Sequence, residues 1–307
     1  MSTREMMWLA FGSVIALMFI LDLFVFNRKS HEIKFREALA WTIVWVSLAM
    51  AFNVGVWYYM GPAKALEFFT GYLIEESLSV DNLFVFIMIF SYFHVPRAQQ
   101  PKILKWGIIG ALVMRGIFIL LGIELIERFH WMVYVFGAVL IYTGFKMAFG
   151  GDDKVEPEKN PLVKLVRRFI PITKRTWGDK FFIKRRGIWS ATPLFLTLIV
   201  VESSDLIFAV DSIPAVLAVT HDPFIVYSSN VFAIMGLRSL YYLLAHVMEM
   251  FVYLKLGVSF ILAFVGAKML LVDIVEIPLL LSLGMIIGTL TISILTSVLL
   301  ARKQHRE

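Results

Sequence analysis

The amino-acid sequence predicts an all-α polytopic membrane protein with about nine transmembrane helices. Hydrophobic residues make up 59% of the 307 residues, charged residues only 17%, and the mean hydropathy is +0.79. This composition excludes an ordinary soluble domain. A helix needs roughly 20 residues to cross the hydrocarbon core. The nine apolar segments that reach or approach this length run from Trp8 to Phe26, Ala38 to Tyr59, Leu66 to Tyr92, Leu104 to Leu125, Trp131 to Phe149, Ala191 to Val219, Phe224 to Leu244, Phe251 to Val272 and Leu279 to Leu300.

The basic residues of the loops predict an N-terminus outside and a C-terminus inside. In this orientation 21 Lys and Arg residues fall on the inner side, and only Arg4, Lys64 and Arg128 fall on the outer side. Cytoplasmic loops carry such an excess, and an odd number of crossings places the termini on opposite sides. The first segment lacks a basic lead and a small-residue cleavage site, so we interpret it as a retained helix.

An internal repeat organises the central part of the chain. Three features recur in the same order: an acidic helix, a helix with one arginine (Arg115, then Arg238), and a helix ending in Gly-x-Lys-Met (from Gly144, then from Gly266). Copies that are offset by three crossings enter the membrane from opposite sides, so we predict a 3+3 inverted-topology repeat, as in many secondary transporters. The predicted units are two N-terminal helices (1–65), repeat 1 (66–149), a basic cytoplasmic loop (150–190), repeat 2 (191–272), and a final helix with a basic tail (273–307).

Both acidic helices carry carboxylates inside long apolar runs, where charge is costly and marks a pathway for ions or protons. Glu75 and Asp81 are six residues apart, as are Asp205 and Asp211, which predicts one site built from two similar halves. The predicted metal ligands are Glu75, Asp81, Asn82, Asp205 and Asp211, with Glu202 and Glu76 as secondary members.

Helical geometry places these acids on different faces. At about 100° per residue, Glu75, Ser79 and Asn82 share one face of the first acidic helix, while Asp81 lies about 120° away. The same spacing separates Asp205 and Ser212 from Asp211 in the second helix. We therefore predict local unwinding that reunites each pair, with Pro214 as a cause in the second half because it removes a backbone donor.

The proposed ligands are all oxygen atoms, which suit hard divalent cations such as Mg²⁺, Ca²⁺ and Mn²⁺. The chain has no cysteine, and its six histidines fall in predicted loops, the tail or helix ends, so a dedicated Zn²⁺ or Cu⁺ site is not expected. Arg115 and Arg238 would compensate part of the negative charge. In the alternative interpretation, the acids form buried ion pairs with these arginines and only hold helices together.

The basic loop 150–190 has two interpretations. It could be a regulatory or nucleic-acid-binding surface. An anchor on the anionic lipids of the inner leaflet agrees better with the orientation rule, and no nucleic-acid partner is expected.

The acidic motifs resemble a known family. Glu75-x5-Asp81-Asn82 and Val201-Glu202-Ser-Ser-Asp205-Leu-Ile-Phe-Ala-Val-Asp211-Ser-Ile-Pro214-Ala resemble the two signatures of the TerC family of integral membrane proteins. Thr220-His-Asp-Pro223-Phe and Asn230-x-Phe-Ala-Ile-Met-Gly236-Leu-Arg238 continue the match, which covers about residues 35 to 300. The resemblance is strongest to a bacterial inner-membrane branch. It implies a relationship to cation and amino-acid exporters and a role in Mn²⁺ export and metal homeostasis.

We therefore expect a multi-pass transporter of the bacterial inner membrane, not an enzyme, with Mn²⁺ as substrate, protons as exchanged ions, membrane lipids as partners and no cofactor. Two alternatives stay open. The chain could be a membrane scaffold or assembly factor that supports metal loading of other membrane proteins. It could also transport another substrate, such as Ca²⁺ or an amino acid. The sequence does not indicate an oligomeric state.

Overall fold

The computed structural model describes residues 3–20, 34–149, 161–173, 177–185, 188–247, 253–275 and 277–304. These residues form ten α-helices and one two-stranded sheet. The elements are α1 (Thr3–Ile20), α2 (Phe35–Met60), α3 (Pro62–Tyr92), α4 (Gln100–Arg128), α5 (Met132–Phe149), α6 (Pro161–Phe169), β1 (Phe182–Arg185), β2 (Ile188–Ala191), α7 (Pro193–Leu217), α8 (Pro223–Val247), α9 (Leu254–Leu270) and α10 (Leu279–Gln304).

The predicted all-α membrane architecture is confirmed. Each of the nine apolar segments corresponds to one long helix among the described residues, namely α1 to α5 and α7 to α10. Five of them, α2, α4, α5, α7 and α10, are long and apolar enough to cross a membrane by length and composition. The helix α3 has 31 residues but carries the first acidic motif, and α9 has only 17 residues. Nine crossings therefore stay a prediction.

Proline residues mark where several of the long helices begin. Pro62 opens α3, Pro193 opens α7 and Pro223 opens α8, where the missing N–H costs nothing because the first turn has no intrahelical partner for it. Gly61 connects α2 to α3 with a φ of 91°, a left-handed conformation that favours glycine. Gly61 with Pro62, and Pro223, therefore lie in the short connections from α2 to α3 and from α7 to α8.

The helices α3, α4, α7 and α8 form the centre of the molecule. The helix α3 packs on α7 and α8, and α4 packs on the same two helices. On the side of α3 and α8, α1 and α2 contribute Phe11 and Phe52 to an aromatic cluster with Phe224 and Phe232. Elsewhere, α5 packs closely along α9, and α10 packs on α9. Apolar side chains of α4 such as Val113, Ile117 and Leu120 are exposed, so α4 forms part of the outer surface of the helix bundle.

The predicted basic loop contains a helix and a hairpin that were not predicted. The amphipathic helix α6 packs against α7 and buries Val163. Strands β1 and β2 pair antiparallel, with Phe182 opposite Ala191. Thr192, directly before α7, donates its hydroxyl to the Lys180 carbonyl at 2.7 Å. The hairpin is thus attached directly to the start of the second acidic helix.

The predicted unwinding of the acidic helices is wrong. The backbone of α3 is helical from Pro62 to Tyr92, and that of α7 is helical from Pro193 to Leu217 with Pro214 inside it. Unwinding would leave several buried backbone groups without partners, whereas one proline removes a single donor. The helices stay intact, and the acids of one helix point towards different neighbours.

Candidate functional site

One face of α3 carries polar side chains into the centre of the molecule. Glu75, Ser79 and Asn82 are all buried, so the face that helical periodicity predicts is the interior face. This face of α3 points towards α4, α7 and α8. The packing of α3 against these helices buries the three polar side chains. The site therefore forms where these four helices meet.

Arg115 of α4 lies at the centre of this polar region and is wholly buried. Its guanidinium forms an ion pair with the Glu75 carboxylate of α3. Its Nη2 lies 3.3 Å from Asp205 Oδ1 of α7, and its Nη1 donates to Ser212 Oγ at 3.3 Å. One arginine thus joins both acidic helices.

Asn230 brings α8 into the same site. Its Nδ2 donates to Glu75 Oε2 at 2.9 Å, and its Oδ1 accepts a hydrogen bond from Arg115 Nη1 at 3.2 Å. Asn230 belongs to the motif Asn230-x-Phe-Ala-Ile-Met-Gly236-Leu-Arg238, but no role was predicted for it. The signal present in the sequence is an amide within an apolar helix, where polar side chains are costly. Together, Glu75, Arg115, Asp205, Ser212 and Asn230 are called the Arg115 cluster below.

Two carboxylates face one guanidinium in the Arg115 cluster, so one negative charge is left over when both acids are ionised. Besides Glu75 Oε1, which is ion-paired with Arg115, four polar atoms near this region are enclosed and have no hydrogen-bond partner among the described residues: Ser79 Oγ, Asn82 Nδ2, Arg115 Nε and Asp205 Oδ2. Leaving such an atom unsatisfied costs about 1–3 kcal/mol. Their concentration here is typical of a site that binds a ligand, an ion or water.

Asp81 and Asp211 are the second acids of the two predicted pairs, and neither is part of the Arg115 cluster as the structure describes it. Asp211 accepts a hydrogen bond from Thr143 of α5 at 2.8 Å and is half-buried. Its position about 120° from Asp205 turns it towards α5, as an intact helix requires. Asp81 has a helical backbone, but its side chain lies outside the described residues. The structure therefore does not bring Asp205 and Asp211 together.

Glu76 lies at a different contact between helices from Glu75. Its Oε1 accepts a hydrogen bond from Tyr72 at 2.8 Å, and its Oε2 is enclosed without a partner among the described residues. A Cβ on Gly236 of α8 would lie 3.6 Å from Glu76 Oε1 and 3.8 Å from the Trp45 Cβ of α2, so the carboxylate lies beside α8 where α2 also approaches. Because consecutive helical residues differ by about 100° in direction, Glu75 and Glu76 face different helices.

Glu202 and Arg238 lie together beside a small cavity. The carboxylate of Glu202 lies directly against Gly110 of α4. The cavity has a volume of about 10 Å³, and Glu202, Asp205 and Arg238 contribute its polar lining. Arg238 therefore belongs to the neighbourhood of Asp205, although Arg115 makes the ion pairs at the centre.

Among the side chains that the structure describes, no three Asp, Glu or His residues converge as a ready metal centre. Glu75 and Asp205 instead share Arg115, the arrangement of the buried ion-pair interpretation. The role of the predicted acids in metal binding stays a prediction.

Comparison with known proteins identifies the family. Residues 60–305 match the sequence profile described as the integral membrane protein TerC family. The chain belongs to the TerC family. The region matched by the TerC profile contains both acidic helices and every residue of the Arg115 cluster. The resemblance predicted from the acidic motifs is thereby confirmed.

Curated relatives of this TerC-family chain extend over nearly its whole length. It is 49% identical over 296 residues to the membrane protein STKORF319 of Myxococcus xanthus, covering 96% of this chain and 93% of the relative. It is 47% identical over 297 residues to an Escherichia coli K12 protein with the provisional name membrane-bound redox modulator Alx, covering 94% and 92%. A Rickettsia bellii membrane protein is 37% identical over 294 residues, covering 96% and 97%. No solved structure matches the chain.

Polar contacts also join helix ends on the predicted outer side of this TerC protein. Asp273, after α9, lies 3.2 Å from His130 Nε2 and accepts a hydrogen bond from Tyr134 of α5. The Tyr134 hydroxyl, followed by the His130 hydrogen bond, holds the pKa of the Asp273 carboxyl below its ordinary value. At another outer junction, Lys64 of α3 binds Glu67 at 2.7 Å and lies 3.8 Å from Asp222. These contacts link α5 to α9 and α3 to α8 at their outer ends.

Proposed function

We propose that this TerC-family protein is a secondary transporter of the bacterial inner membrane that exports Mn²⁺ from the cytoplasm in exchange for protons, and that it acts as a carrier rather than an enzyme. The observation that carries the proposal is the Arg115 cluster. Two buried carboxylates from α3 and α7 meet one buried guanidinium where four central helices join. Charges at this depth are costly to a structural protein and useful to a transporter.

Arg115 would serve as the counter-charge when no metal is bound. A divalent cation that approaches Glu75 and Asp205 can replace the guanidinium, because the cation and the guanidinium are both positively charged and bind the same carboxylate oxygens. Ser79, Asn82 and Ser212 lie on the same helix faces and offer further oxygen ligands. Glu76, Glu202, Asp81 and Asp211 would act along the path rather than in one coordination sphere.

Protons can use the same carboxylates in the other half of the cycle. Desolvation favours the protonated form of a carboxyl group, and a bound divalent cation favours the ionised form. One acidic site can therefore alternate between the two cargoes. Oxygen ligands do not separate Mn²⁺ from Ca²⁺, so the choice of Mn²⁺ depends on the family resemblance.

The packing of the helices supports an inverted repeat of α3–α5 and α7–α9. A two-fold relation would pair α3 with α7, α4 with α8 and α5 with α9, and each of these pairs is in contact. It would also make the contact of α3 with α8 equivalent to that of α4 with α7, and both are extensive. Arg115 bridges the two units, since it binds Glu75 in one and Asp205 in the other.

Glycine contacts between α5 and α9 agree with this relation. Gly137 approaches Gly266, and Gly144 approaches Ser259. The Gly-x-Lys-Met match equates Gly144 with Gly266, an offset of 266 − 144 = 122, and Gly137 and Ser259 differ by the same 259 − 137 = 122. The first contact is therefore the symmetry mate of the second. In transporters with inverted repeats, rocking of one unit against the other exposes a shared site to each side in turn.

A flux assay with a purified protein tests the proposal. The full chain is reconstituted in liposomes that contain a Mn²⁺-sensitive dye, and a pH gradient is imposed. We expect Mn²⁺ flux that depends on the gradient and a loss of at least tenfold when Glu75→Gln and Asp205→Asn are combined. Glu124→Gln, in an exposed ion pair at the outer end of α4, is the matched carboxyl control. Wild-type flux no greater than in protein-free liposomes would overturn the proposal, as would full flux by the double variant.

The ion pairs of Glu75 and Asp205 with Arg115 favour one second candidate, a scaffold or assembly factor that supports metal loading of other membrane proteins. The provisional name of the Alx relatives, redox modulator, also suggests an indirect role. This chain has no cysteine, so it contains no thiol for disulfide exchange. The scaffold hypothesis predicts that the protein forms stable complexes with other membrane proteins and that the purified protein gives no metal flux. Substituting Ca²⁺ for Mn²⁺ in the same liposomes tests the remaining alternative of another exported cation.

A further inference from the structure

The helix α6 carries an exposed apolar stripe on the predicted cytoplasmic side of the protein. Leu162, Leu165 and Phe169 recur at i, i+3 and i+7, which places them on one face of the helix. All three side chains are exposed, Phe169 to 74%. Lys164 and Arg168 lie on the opposite face. A helix divided in this way lies in the plane of a membrane surface with its apolar face towards the acyl chains, so α6 indicates that lipid covers this part of the protein.

An open groove lies beside the hairpin of β1 and β2, a few residues before the start of α7. Its volume is about 770 Å³, within the range of about 300–1,000 Å³ that is typical of small-molecule sites. Its aromatic and basic lining comes from Trp177, Lys180, Phe182, Lys184 and Trp189, and among the described residues no carboxylate lines it. This hairpin groove, as it is called below, therefore offers positive charge next to aromatic surface.

The local structure of the hairpin groove places one lysine beside each tryptophan. Gly178 has a φ of 53°, a left-handed conformation that favours glycine, and the Lys180 amide closes the turn by donating to the Trp177 carbonyl at 3.2 Å. On the strands, Lys184 is the direct partner of Trp189. Residues that are directly opposite in an antiparallel pair project from the same face, so these two side chains line the groove together.

The helix α6 and the hairpin groove belong to one surface. The chain that follows α6 pairs with β2, because the Thr173 amide donates to the Ala191 carbonyl at 2.9 Å and the Ala191 amide donates to the Pro171 carbonyl at 2.9 Å. Both parts also pack on α7: α6 contacts it directly, and the ring of Phe182 lies 4.4 Å from that of Phe195. The apolar stripe and the groove are therefore held at the same end of α7, on the predicted inner side.

From these observations we infer that the hairpin groove binds the headgroup of an anionic phospholipid of the inner leaflet. Lys180 and Lys184 supply positive charge for its phosphate, at a surface where basic residues attract anionic lipids. Trp177 is 50% exposed and Trp189 is 61% exposed, and such indoles are typical of the headgroup region, where the ring meets lipid and its N–H stays hydrated. The acyl chains would continue towards the apolar stripe of α6. A free phosphate or a nucleic acid has no such chains, so a lipid fits this surface better than either.

The hairpin groove is connected to both predicted repeats. Lys102, near the start of α4, donates to the Asp179 carbonyl, and its ammonium lies 4.8 Å from the centre of the Phe181 ring. The Thr192 amide, directly before α7, donates to the Phe181 carbonyl at 2.9 Å. A ligand that binds one arrangement of a protein stabilises that arrangement by mass action. The lipid therefore favours the packing of α4 beside α7 at their inner ends.

Lipid titrations of the purified full chain test the inference. The protein is kept in neutral detergent micelles, phosphatidylglycerol or phosphatidylcholine is added, and thermal unfolding gives the apparent affinity for each lipid. We expect phosphatidylglycerol to bind at least tenfold more tightly than phosphatidylcholine. Lys180→Gln combined with Lys184→Gln should weaken its binding at least tenfold. Lys180→Arg combined with Lys184→Arg should keep it, because both charges stay. Native mass spectrometry of the same samples counts the lipid molecules that remain bound.

The matched control removes two basic charges from α6. Lys164→Gln combined with Arg168→Gln changes the net charge by the same amount on the same side of the protein, but on the face of α6 that is opposite to the apolar stripe. The loss of phosphatidylglycerol affinity should stay below threefold. A loss equal to that of the groove variant would overturn the inference, because it would assign lipid binding to the general charge of this side.

Other results would also overturn it. They are a wild-type protein that does not distinguish the two lipids, and a groove variant that binds phosphatidylglycerol as the wild type does. Equal stabilisation by inorganic phosphate or by a short RNA would exclude a lipid as the occupant. Unfolding in phosphatidylcholine alone identifies a variant that fails to fold, in which case Lys184→Gln alone replaces it and should weaken binding at least threefold. The titration uses no metal, so the inference goes beyond the proposed function and stands or falls without it.

Discussion

Gly137 of α5 and Gly266 of α9 touch backbone to backbone. A Cβ on Gly137 would lie 2.9 Å from the Gly266 carbonyl oxygen, and a Cβ on Gly266 would lie 2.6 Å from the Gly137 carbonyl oxygen. A main-chain atom cannot turn away as the end of a side chain can. The two helices can therefore pack at this distance only with glycine at both positions.

Replacing either glycine should separate α5 from α9. We expect Gly137→Ala and Gly266→Ala each to destabilise the protein by about 1–3 kcal/mol, the usual cost of overpacking. Thermal unfolding in detergent measures the effect. Gly284→Ala in α10 is the control, because a Cβ there meets nothing within 4 Å. Variants as stable as the wild type would show that these helices move apart without cost.

Removing the guanidinium of Arg115 should be among the most damaging substitutions in the chain. Arg115→Gln leaves Glu75 and Asp205 without their shared positive partner, and a broken buried ion pair typically costs about 3–5 kcal/mol. Combining it with Asp205→Asn should recover part of the stability, since one buried charge is then removed. Thermal unfolding compares the variants with Arg128→Gln, whose side chain is exposed. A double variant no more stable than Arg115→Gln would contradict the charge argument.

Asn230 should matter because it fixes the orientation of Glu75. Asn230→Leu keeps the side-chain volume but removes the hydrogen bond that Asn230 donates to Glu75 and the one that it accepts from Arg115. The expected loss is about 1–3 kcal/mol of stability, accompanied by weaker Mn²⁺ transport. Ser228→Ala provides the control in the same helix, because Ser228 bonds only weakly to the Ile225 carbonyl. Transport and unfolding unaffected by Asn230→Leu would remove Asn230 from the site.

Asp81 and Asp211 should act in transport although Asp211 lies outside the Arg115 cluster. We expect Asp81→Ala combined with Asp211→Ala to abolish Mn²⁺ flux in liposomes while the protein still folds. Thr143→Val, which removes the hydrogen bond to Asp211, should give a smaller decrease. Asp179→Asn in the exposed inner hairpin region is the control. Undiminished flux in the double variant would exclude both acids from the pathway.

The outer contact of Asp273 predicts a pH-dependent contribution to stability. The pKa of Asp273 is lowered in the folded protein, so its contact with Tyr134 and His130 stabilises the fold above the ordinary Asp pKa of about 3.9 and is lost as pH falls through the lowered value. Tyr134→Phe should therefore lower the unfolding temperature near pH 6, and the difference from wild type should vanish at strongly acidic pH. Tyr142→Phe, at an exposed position of α5, controls for the loss of a hydroxyl. A difference that persists in acid would assign the effect to packing.

Helical periodicity predicted that Glu75, Ser79 and Asn82 share one face of α3, and charge balance pointed to Arg115 as a partner of the acids. The sequence could not place Asn230, since an amide within an apolar helix does not reveal which residue it meets across the interface. The predicted unwinding failed for a physical reason. The sequence spacing suggested that Glu75 and Asp81 form one pair. The free energy of the backbone hydrogen bonds that unwinding would break exceeds any gain from bringing the two carboxylates together. The hairpin of β1 and β2 was not predicted because its strands have only four residues each and lie among basic residues.

The guanidinium of Arg115 has a consequence for how tightly cargo can be held. In the proposed transporter it would act as an intramolecular competitive inhibitor, tethered beside Glu75 and Asp205, whose effective concentration does not fall however dilute the medium. Every incoming cation would have to outcompete it, which would weaken the apparent affinity by a constant factor. On the exit side the same competitor would displace the cation, so that export would not stall on a site that binds its cargo too tightly.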